Sequence, residues 1–384
     1  MKAYFDNSAT TKATKEVGDI VMHVMLEDYG NPSAMHMIGV DAEKYIKDSK
    51  AIIAKTLKVE DNDIYFTSGG TECNNLALFG VADANKRSGN KIITTKIEHP
   101  SVSDPMKKLE EQGFDVKYIG VDENGVLDIE EFKNEMDENT ILVSVMHVNN
   151  EVGAIQPIEE VAKIAKAINP KVVMHVDAIQ SYGKFEIRPK KINVDILSVS
   201  GHKIHGPKGV GFIYIKKNTK INPVILGGGQ QNNMRSGTEN VPGIAGLGVA
   251  AKQCYDNFSE TVDKITELKD YFIEKVSAID GVTVNSRKGE DGAPHIVSVS
   301  VKNVRAEVLL HALEDVGVYI SAGSACSSNK PAISATLKAM GIDKDLLGST
   351  VRFSFSRYNT KEEIDYAIDQ MKKLVPMLSK YVRR

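Results

Sequence analysis

Two hydrophobic periods alternate along the chain and predict strands and helices in turn. Short apolar runs rich in β-branched residues, at 63–67, 91–95, 140–148 and 171–177, predict buried strands. Between the strands lie segments with apolar residues on one helical face, such as 42–57. Strands that alternate with helices are typical of an α/β fold, so we expect a large domain with a mostly parallel sheet of about seven strands flanked by helices.

The pattern changes near residue 281. A long helical region is predicted over 241–279, and after it short strands and few helices predict a compact α+β unit. We therefore expect a large domain and a smaller C-terminal domain. The predicted parts are an N-terminal segment that packs with the small domain (1–15), the large domain (16–255) and the small domain (256–384).

Composition narrows the class of protein. The 384 residues are 42% hydrophobic and 26% charged, as in soluble globular proteins, and the net charge of −3 gives no reason to expect nucleic acid or an anionic membrane surface as a partner. No apolar run approaches the length of a membrane span, and the first residues lack a signal-peptide core, so a cytoplasmic location is expected. The three cysteines match no zinc pattern, so any functional role is that of a thiol.

Candidate chemistry follows the ends of the predicted strands, where ligands of parallel α/β sheets bind. Lys203 lies in a small polar turn between two apolar runs, which can present its amine rigidly to a pocket. A surface lysine beside a Gly-Pro turn is the alternative. Other polar groups that follow strands are His99, Asn150, Asp177, Gln180, Ser200 and His202. Taken singly, each histidine is equally compatible with a structural role and Asp177 with a helix cap.

Three further segments carry candidate groups. Gly70 and Thr71 follow a strand and precede a helix, which makes an anion site or a turn without a ligand. Arg352, in an alternating strand, can grip a carboxylate or form a surface ion pair. Cys326 lies among small polar residues and is placed for reactivity, whereas Cys73 and Cys254 are predicted to be buried.

Several motifs occur together in one order along the chain. They are TSGGTE (67–72), MHVNNEVG (146–153), HVDAIQS (175–181), SGHK (200–203), RSGT (235–238), GSAC (323–326) and RFS (352–354). Together they resemble the motifs of NifS/IscS-type cysteine desulfurases, which are class V, fold-type I enzymes that use pyridoxal 5′-phosphate (PLP). The resemblance covers nearly the whole chain and implies a PLP fold of type I.

The resemblance implies a role for each matching residue. Lys203 would form the Schiff base with PLP and later move the substrate Cα proton. His99 would stack on the cofactor ring and assist proton transfer, and Cys326 would accept the sulfur of L-cysteine as a persulfide while L-alanine is released. Asp177 would pair with the ring nitrogen, and Gln180 would bond the phenolic oxygen.

The remaining implied contacts concern the cofactor phosphate and the substrate carboxylate. Gly70, Thr71, Ser200 and His202 would hold the phosphate. Asn150, also among the cofactor-binding residues, and Arg352 would hold the substrate carboxylate. Thr238 would reach the phosphate bound by a partner subunit, which implies a homodimer.

The expected partners are L-cysteine and a sulfur-acceptor protein such as an iron–sulfur scaffold, and no metal is expected. The family often has alanine at the position of Gly70, and this difference is expected to leave phosphate binding unharmed. Two alternatives stay open. One is a selenocysteine lyase or another class V PLP-dependent lyase or aminotransferase, and the other is a catalytically silent protein that only binds a partner.

Overall fold

The chain is an α/β protein built on two main sheets. The structure is a computed structural model that describes residues 1–322 and 333–381. The strands are β1 (Ala3–Tyr4), β2 (Ile64–Thr67), β3 (Lys91–Thr95), β4 (Asp115–Ile119), β5 (Thr140–Met146), β6 (Val173–Asp177), β7 (Ile196–Ser200), β8 (Gly211–Ile215), β9 (Val282–Val284), β10 (Ile296–Val301), β11 (Val318–Tyr319), β12 (Ser321–Ala322) and β13 (Thr350–Ser354).

Helices alternate with the first strands and then dominate the second half. They are α1 (Lys15–Leu26), α2 (Met37–Leu57), α3 (Gly70–Asn85), α4 (Pro100–Glu111), α5 (Ile129–Glu135), α6 (Ile158–Ile168), α7 (Val241–Asp256), α8 (Phe258–Ser277), α9 (Ala306–Asp315), α10 (Ala335–Ala339), α11 (Lys344–Leu347) and α12 (Lys361–Leu378).

The large sheet has seven strands in the order β2-β8-β7-β6-β5-β3-β4. Strand β8 is antiparallel to both of its neighbours, and every other pair is parallel. Strands β5 to β8 are buried at every position, which explains their continuous apolar sequence. The prediction of a mostly parallel seven-stranded sheet is confirmed.

A smaller sheet, in the order β12-β13-β10-β9, is antiparallel throughout. It packs with α8, α9 and α12 around its own hydrophobic core. The N-terminal segment joins this unit, because β1 pairs with β11 and the Phe5 side chain is buried against Phe353 and Phe355. The division of the chain at residues 15 and 255 stays a prediction.

Two predicted helices differ from the observed ones. The helical region over 241–279 is two helices rather than one, because Asn257 leaves helical geometry between α7 and α8 with φ −131° and ψ 53°. Gly70 and Thr71 were predicted to precede a helix, but α3 begins at Gly70 and therefore takes in both residues. In the described ranges, no helix combines the length and the apolar character needed to cross a bilayer.

Candidate active site

One cavity of about 420 Å³ lies at the carboxyl ends of the large-sheet strands. The ends of β5, β6 and β7 form one side of it, and the N-terminal segment together with β12 and β13 forms the other. Residues proposed from the sequence that line this cavity are Gly70, Thr71, His99, Asn150, Asp177, Gln180, Ser200, His202, Lys203 and Arg352. The topology thus gathers groups from five of the seven motifs, together with His99, at one edge of the sheet.

Lys203 ends a single 3-10 turn that connects β7 to the segment before β8. Its Nζ donates to the backbone oxygens of Ser8 (2.6 Å) and Ala9 (2.8 Å). The N-terminal segment therefore holds the amine at the cavity. Because the turn is held between buried antiparallel strands, the lysine does not lie on an open surface loop.

Asp177 is the last residue of β6 and is buried beside the cavity. Its carboxylate accepts a hydrogen bond from Asn74 Nδ2 (2.8 Å) and another from the backbone N–H of Ile179 (3.0 Å). Burial raises the pKa of Asp177, and these hydrogen bonds oppose that shift. A carboxylate in this environment is a natural partner for a cationic group of a ligand.

Gln180 and His99 flank the same space. Gln180 donates from Nε2 to the Ser8 oxygen (3.0 Å), and its Oε1 lies 3.2 Å from His295 Nε2. His99 is the N-cap of α4, where its Nδ1 accepts the backbone N–H of Ser101 (3.1 Å). Burial is the main cause that lowers the pKa of His99; the Asp177 charge opposes this shift, and the Lys203 charge adds to it. His99 therefore combines a structural cap with a place in the cavity wall.

The start of α3 forms the third part of the site. Gly69, with φ +146°, lies in a region of backbone conformation that favours glycine, and it has no side chain to cap the helix. The first amide groups of α3 are therefore available to an anion at the positive end of the helix dipole. His202 lies alongside, and burial together with Lys203 lowers its pKa to about 4.

Ile179 fills the space where alanine at position 70 would place its methyl group. A Cβ added to Gly70 would lie 2.2 Å from Ile179 Cδ1 and 3.0 Å from its Cγ1. Real carbon atoms do not approach so closely, so alanine requires Ile179 to move. The cost of this shift depends on how freely the end of the Ile179 side chain can move, and the expectation that glycine here leaves phosphate binding unharmed stays a prediction.

Arg352 is buried rather than exposed, so it is not a surface ion pair. Its Nη2 donates to Asp6 Oδ1 (2.9 Å), and its Nη1 donates to the backbone oxygen of Asn150 (2.7 Å). The guanidinium thereby ties the N-terminal segment to the loop after β5. Both nitrogens keep a second hydrogen for a carboxylate in the cavity.

Two predicted residues do not join this cluster. Thr238 is exposed and, among the described residues, is not part of the cavity lining. Its loop is fixed to α3 by Arg235, whose Nε donates to Glu72 (2.9 Å). Cys326 lies outside the described residues, so its role stays a prediction.

The other two cysteines have the buried positions expected from the sequence. Cys73 and Cys254 are free thiols within hydrophobic cores. Burial raises the pKa of the Cys73 thiol to about 12 and also raises that of Cys254, so neither is a ready thiolate.

Some residues of the site were missed in the sequence. Asp6, Ser8 and Ala9 contact Arg352 or Lys203 although they lie far away along the chain. The sequence feature that could have indicated these residues is the run of small polar residues at 6–10, which has no periodicity and follows a short strand. Asn74 and Ser101 were missed because they lie inside helices, where a polar residue usually faces solvent.

The amino-acid sequence matches one protein family and several relatives over nearly its whole length. The family model described as Aminotransferase class-V matches residues 3–367. The cysteine desulfurase IscS of Dictyoglomus turgidum is 40% identical over 378 residues, which cover 98% of this chain and 95% of that protein. The cysteine desulfurase IscS of Methanosarcina thermophila is 40% identical over 375 residues, covering 98% and 92%.

Solved structures agree. A NifS-like protein superposes with a TM-score of 0.93 at 39% identity, covering 98% of this chain and all of that one. A structure described as SspA in complex with cysteine superposes with a TM-score of 0.81 at 32% identity, covering 93% of this chain and all of that one. The chain therefore belongs to the class V aminotransferase family and, within it, to the cysteine desulfurases of the NifS and IscS type.

Proposed function

We propose that the protein is a PLP-dependent cysteine desulfurase that moves the sulfur of L-cysteine to Cys326. The reaction is balanced as L-cysteine plus the Cys326 thiol giving L-alanine plus a Cys326 persulfide. The observation that carries the proposal is the convergence of Lys203, Asp177 and the start of α3 on one cavity. A lysine amine, a buried carboxylate and a helix N-terminus are the three groups that an aldehyde cofactor with a ring nitrogen and a phosphate requires.

The described residues fit such a cofactor. The buried carboxylate of Asp177, whose pKa burial raises, is suited to a protonated ring nitrogen. Gly70, Thr71, Ser200 and His202 would hold the phosphate, and Gln180 would donate to the ring oxygen. When bound, PLP supplies an electron sink for negative charge at the substrate Cα.

The protein residues then have separate tasks. Lys203 Nζ, held by two backbone oxygens, would anchor the cofactor and afterwards take and return the Cα proton. The cavity-facing hydrogens of Arg352 would bind the substrate carboxylate, with Asn150 beside it. His99 would cover the ring face and exchange a proton at Nε2, the nitrogen that does not cap α4.

Alanine production tests this function directly. The purified protein is incubated with PLP and L-cysteine, and alanine and protein-bound persulfide are measured. The wild type is expected to form both products. Cys326→Ala is expected to lose the persulfide, and persulfide formed at wild-type yield by this variant would contradict the role of Cys326.

The site is further proposed to be completed by a second copy of the chain. Thr238 is exposed, and its loop is pinned by the Arg235–Glu72 ion pair. Exposed apolar side chains also gather between the end of α1 and the start of α2, a composition suited to an interface. They are Met22, Met25, Leu26, Tyr29, Met35, Met37, Ile38 and Val40.

Subunit mixing tests whether Thr238 acts across the interface. Lys203→Ala and Thr238→Ala proteins are each expected to be impaired alone. After dissociation and mixing, a heterodimer would contain one site with both native residues, so activity should return. Absence of recovery, with heterodimers verified by differential tags, would mean that Thr238 does not serve the partner's site.

The sulfur on Cys326 is proposed to pass to an acceptor protein such as an iron–sulfur scaffold. A cytoplasmic location is part of the same proposal, because Cys73 and Cys254 are free thiols, as is usual for cysteines in a reducing compartment. Transfer of radiolabelled sulfur from the loaded protein to a candidate scaffold, followed after removal of free cysteine, tests the first of these statements.

A further inference from the structure

A chain of hydrogen bonds links Asp177, the last residue of β6, to His99, the N-cap of α4. Both side chains line the cavity. Asn74 Nδ2 donates to Asp177 Oδ2 (2.8 Å) and to Ser101 Oγ (2.9 Å). Ser101 Oγ in turn lies 2.8 Å from His99 Nδ1. Asn74, Ser101 and Asp177 are all buried, so water does not compete strongly for these contacts.

The negative charge of Asp177 determines which group donates and which accepts in each hydrogen bond of this chain. An ionised carboxylate only accepts hydrogen bonds, so the amide nitrogen of Asn74 must face it. This orientation leaves Asn74 Oδ1 buried with no hydrogen-bond partner among the described residues, a cost that the charged hydrogen bond to Asp177 offsets. The second hydrogen of the same nitrogen then points at Ser101 Oγ.

Ser101 transmits that direction to His99. Its oxygen accepts from Asn74, so its single hydrogen is left to donate to His99 Nδ1. The backbone N–H of Ser101 points at the same nitrogen (3.1 Å). Two donors on Nδ1 require a lone pair there, so the proton of the neutral imidazole is on Nε2.

We propose that Asn74 and Ser101 are positioning residues that hold His99 in the tautomer with its proton on Nε2. In this tautomer Nε2 of His99 carries a proton when the substrate binds. The neutral imidazole therefore acts first as a proton donor. The lowered pKa of His99 agrees with this arrangement, because burial and the Lys203 charge both disfavour the imidazolium. The inference rests on the proposed function only for the assignment of His99 to the reaction.

The tautomer is measurable without turnover. Nitrogen-15 NMR of full-length holoprotein labelled at histidine distinguishes protonated from unprotonated ring nitrogens, and His99→Gln identifies the His99 signals among nine histidines. In the wild type, Nδ1 of His99 should be unprotonated. Ser101→Ala removes one of the two donors to Nδ1 and keeps the backbone N–H, so it should raise the population of the minor tautomer with the proton on Nδ1. Ser101→Thr, which keeps a hydroxyl, should resemble the wild type.

Two further variants complete the design. Ser103→Ala removes a hydroxyl from the same helix and should leave the tautomer unchanged, whereas Asn74→Ala should shift it as Ser101→Ala does. Thermal unfolding verifies that each variant is folded. With L-cysteine, Ser101→Ala should lower kcat about tenfold, the equivalent of one modest hydrogen bond, while KM stays within about twofold.

A wild-type proton on Nδ1, or a Ser101→Ala protein with the same ratio of the two tautomers as the wild type, would overturn the proposal. Neither result depends on desulfurase activity. If the protein instead showed the expected tautomers but released no alanine from L-cysteine, the proposed function would fail and the positioning chain would stand.

Discussion

The two walls of the cavity are built in different ways. The sheet wall, made of Gly70, Asp177, Ser200 and Lys203, is fixed by buried strands and by short turns that follow them directly. The N-terminal wall, in which Ser8 and Ala9 join the Asp6–Arg352 ion pair, is assembled from chain segments whose paired residues lie 346 positions apart. The comparison teaches that strand ends and the turns after them place the groups proposed for the cofactor, whereas contacts distant in sequence orient Lys203 and hold Arg352, the group proposed for the substrate carboxylate.

Lys203→Ala should have the largest effect, because it removes an amine that the sheet wall positions and that Ser8 and Ala9 of the N-terminal wall hold. Loss of the amine would remove the proposed cofactor anchor and the proposed acceptor of the Cα proton, so alanine formation should fall by about 10³-fold or more. The visible absorption of the bound cofactor should also change. Alanine release and the absorption spectrum of the purified variant measure the two effects.

Lys217→Ala, an exposed lysine after β8, is the matched control and should behave as the wild type. Substantial activity in the Lys203→Ala protein would mean that a different amine serves the reaction. The sheet wall would then not supply the amine that the reaction needs.

Arg352→Lys should act mainly on substrate binding through the N-terminal wall. Lysine keeps the charge but cannot donate to Asp6, the Asn150 oxygen and a carboxylate with the same planar geometry. Loss of a charge-assisted hydrogen bond corresponds to about 1.5–3 kcal/mol, so KM for L-cysteine should rise roughly 10- to 100-fold with a smaller change in kcat. Steady-state kinetics measure this split.

Arg287→Lys provides the control, because Arg287 forms an exposed ion pair with Asp291 and should give wild-type kinetics. An equal fall in kcat and rise in KM for Arg352→Lys would contradict the division of tasks. The N-terminal wall would then serve the chemical step as well.

The difference between the walls also explains which parts of the molecule the sequence predicts. Asp177 and Lys203 follow continuous apolar strands, so their place at one sheet edge follows from local pattern and the geometry of parallel sheets. Asp6 has no such pattern, and its pairing with Arg352 exists only once both ends of the chain have folded together. The start of α3 at Gly70 was missed because glycine is disfavoured inside helices, so a glycine-rich stretch indicates a turn rather than the first residues of a helix.

Gly70→Ala should produce an intermediate effect on the sheet wall. The new methyl group would overlap the flexible end of the Ile179 side chain, and because that end can shift, the cost should lie near the lower limit of the usual overpacking range of about 1–3 kcal/mol. Because both residues line the cofactor cavity, the loss should appear as weaker PLP affinity and a lower melting temperature. Fluorescence titration of the cofactor-free protein and thermal unfolding measure these quantities.

The double variant Gly70→Ala with Ile179→Ala is the critical comparison, because removal of the isoleucine side chain makes room for the methyl group. It should bind PLP more tightly than Gly70→Ala alone. Gly18→Ala, in α1 where an added Cβ has open space, should be neutral or stabilising. A Gly70→Ala protein with wild-type affinity would mean that the wall is more compliant than its packing indicates.

Acid should weaken the core that supports the sheet wall through the buried His175. This side chain lies between Ser144 of β5 (2.8 Å) and Ser198 of β7 (2.9 Å), and burial lowers its pKa to about 3. An unfolded histidine has a pKa near 6.5, so below that pH the unfolded state binds the proton first. The stability contributed by neutral His175 is therefore complete above about pH 6.5 and falls by about 1.4 kcal/mol per pH unit as the pH drops towards 3.

His175→Gln should flatten the pH dependence of the free energy of unfolding between pH 6.5 and 4, whatever its effect on stability at pH 7. The remaining slope would come from groups such as His147, whose pKa burial lowers to about 4. His311→Gln, on the surface of α9, should leave the slope unchanged. Denaturant unfolding at several pH values measures these slopes. An unchanged slope for His175→Gln would mean that protonation of other groups causes the loss of stability in acid.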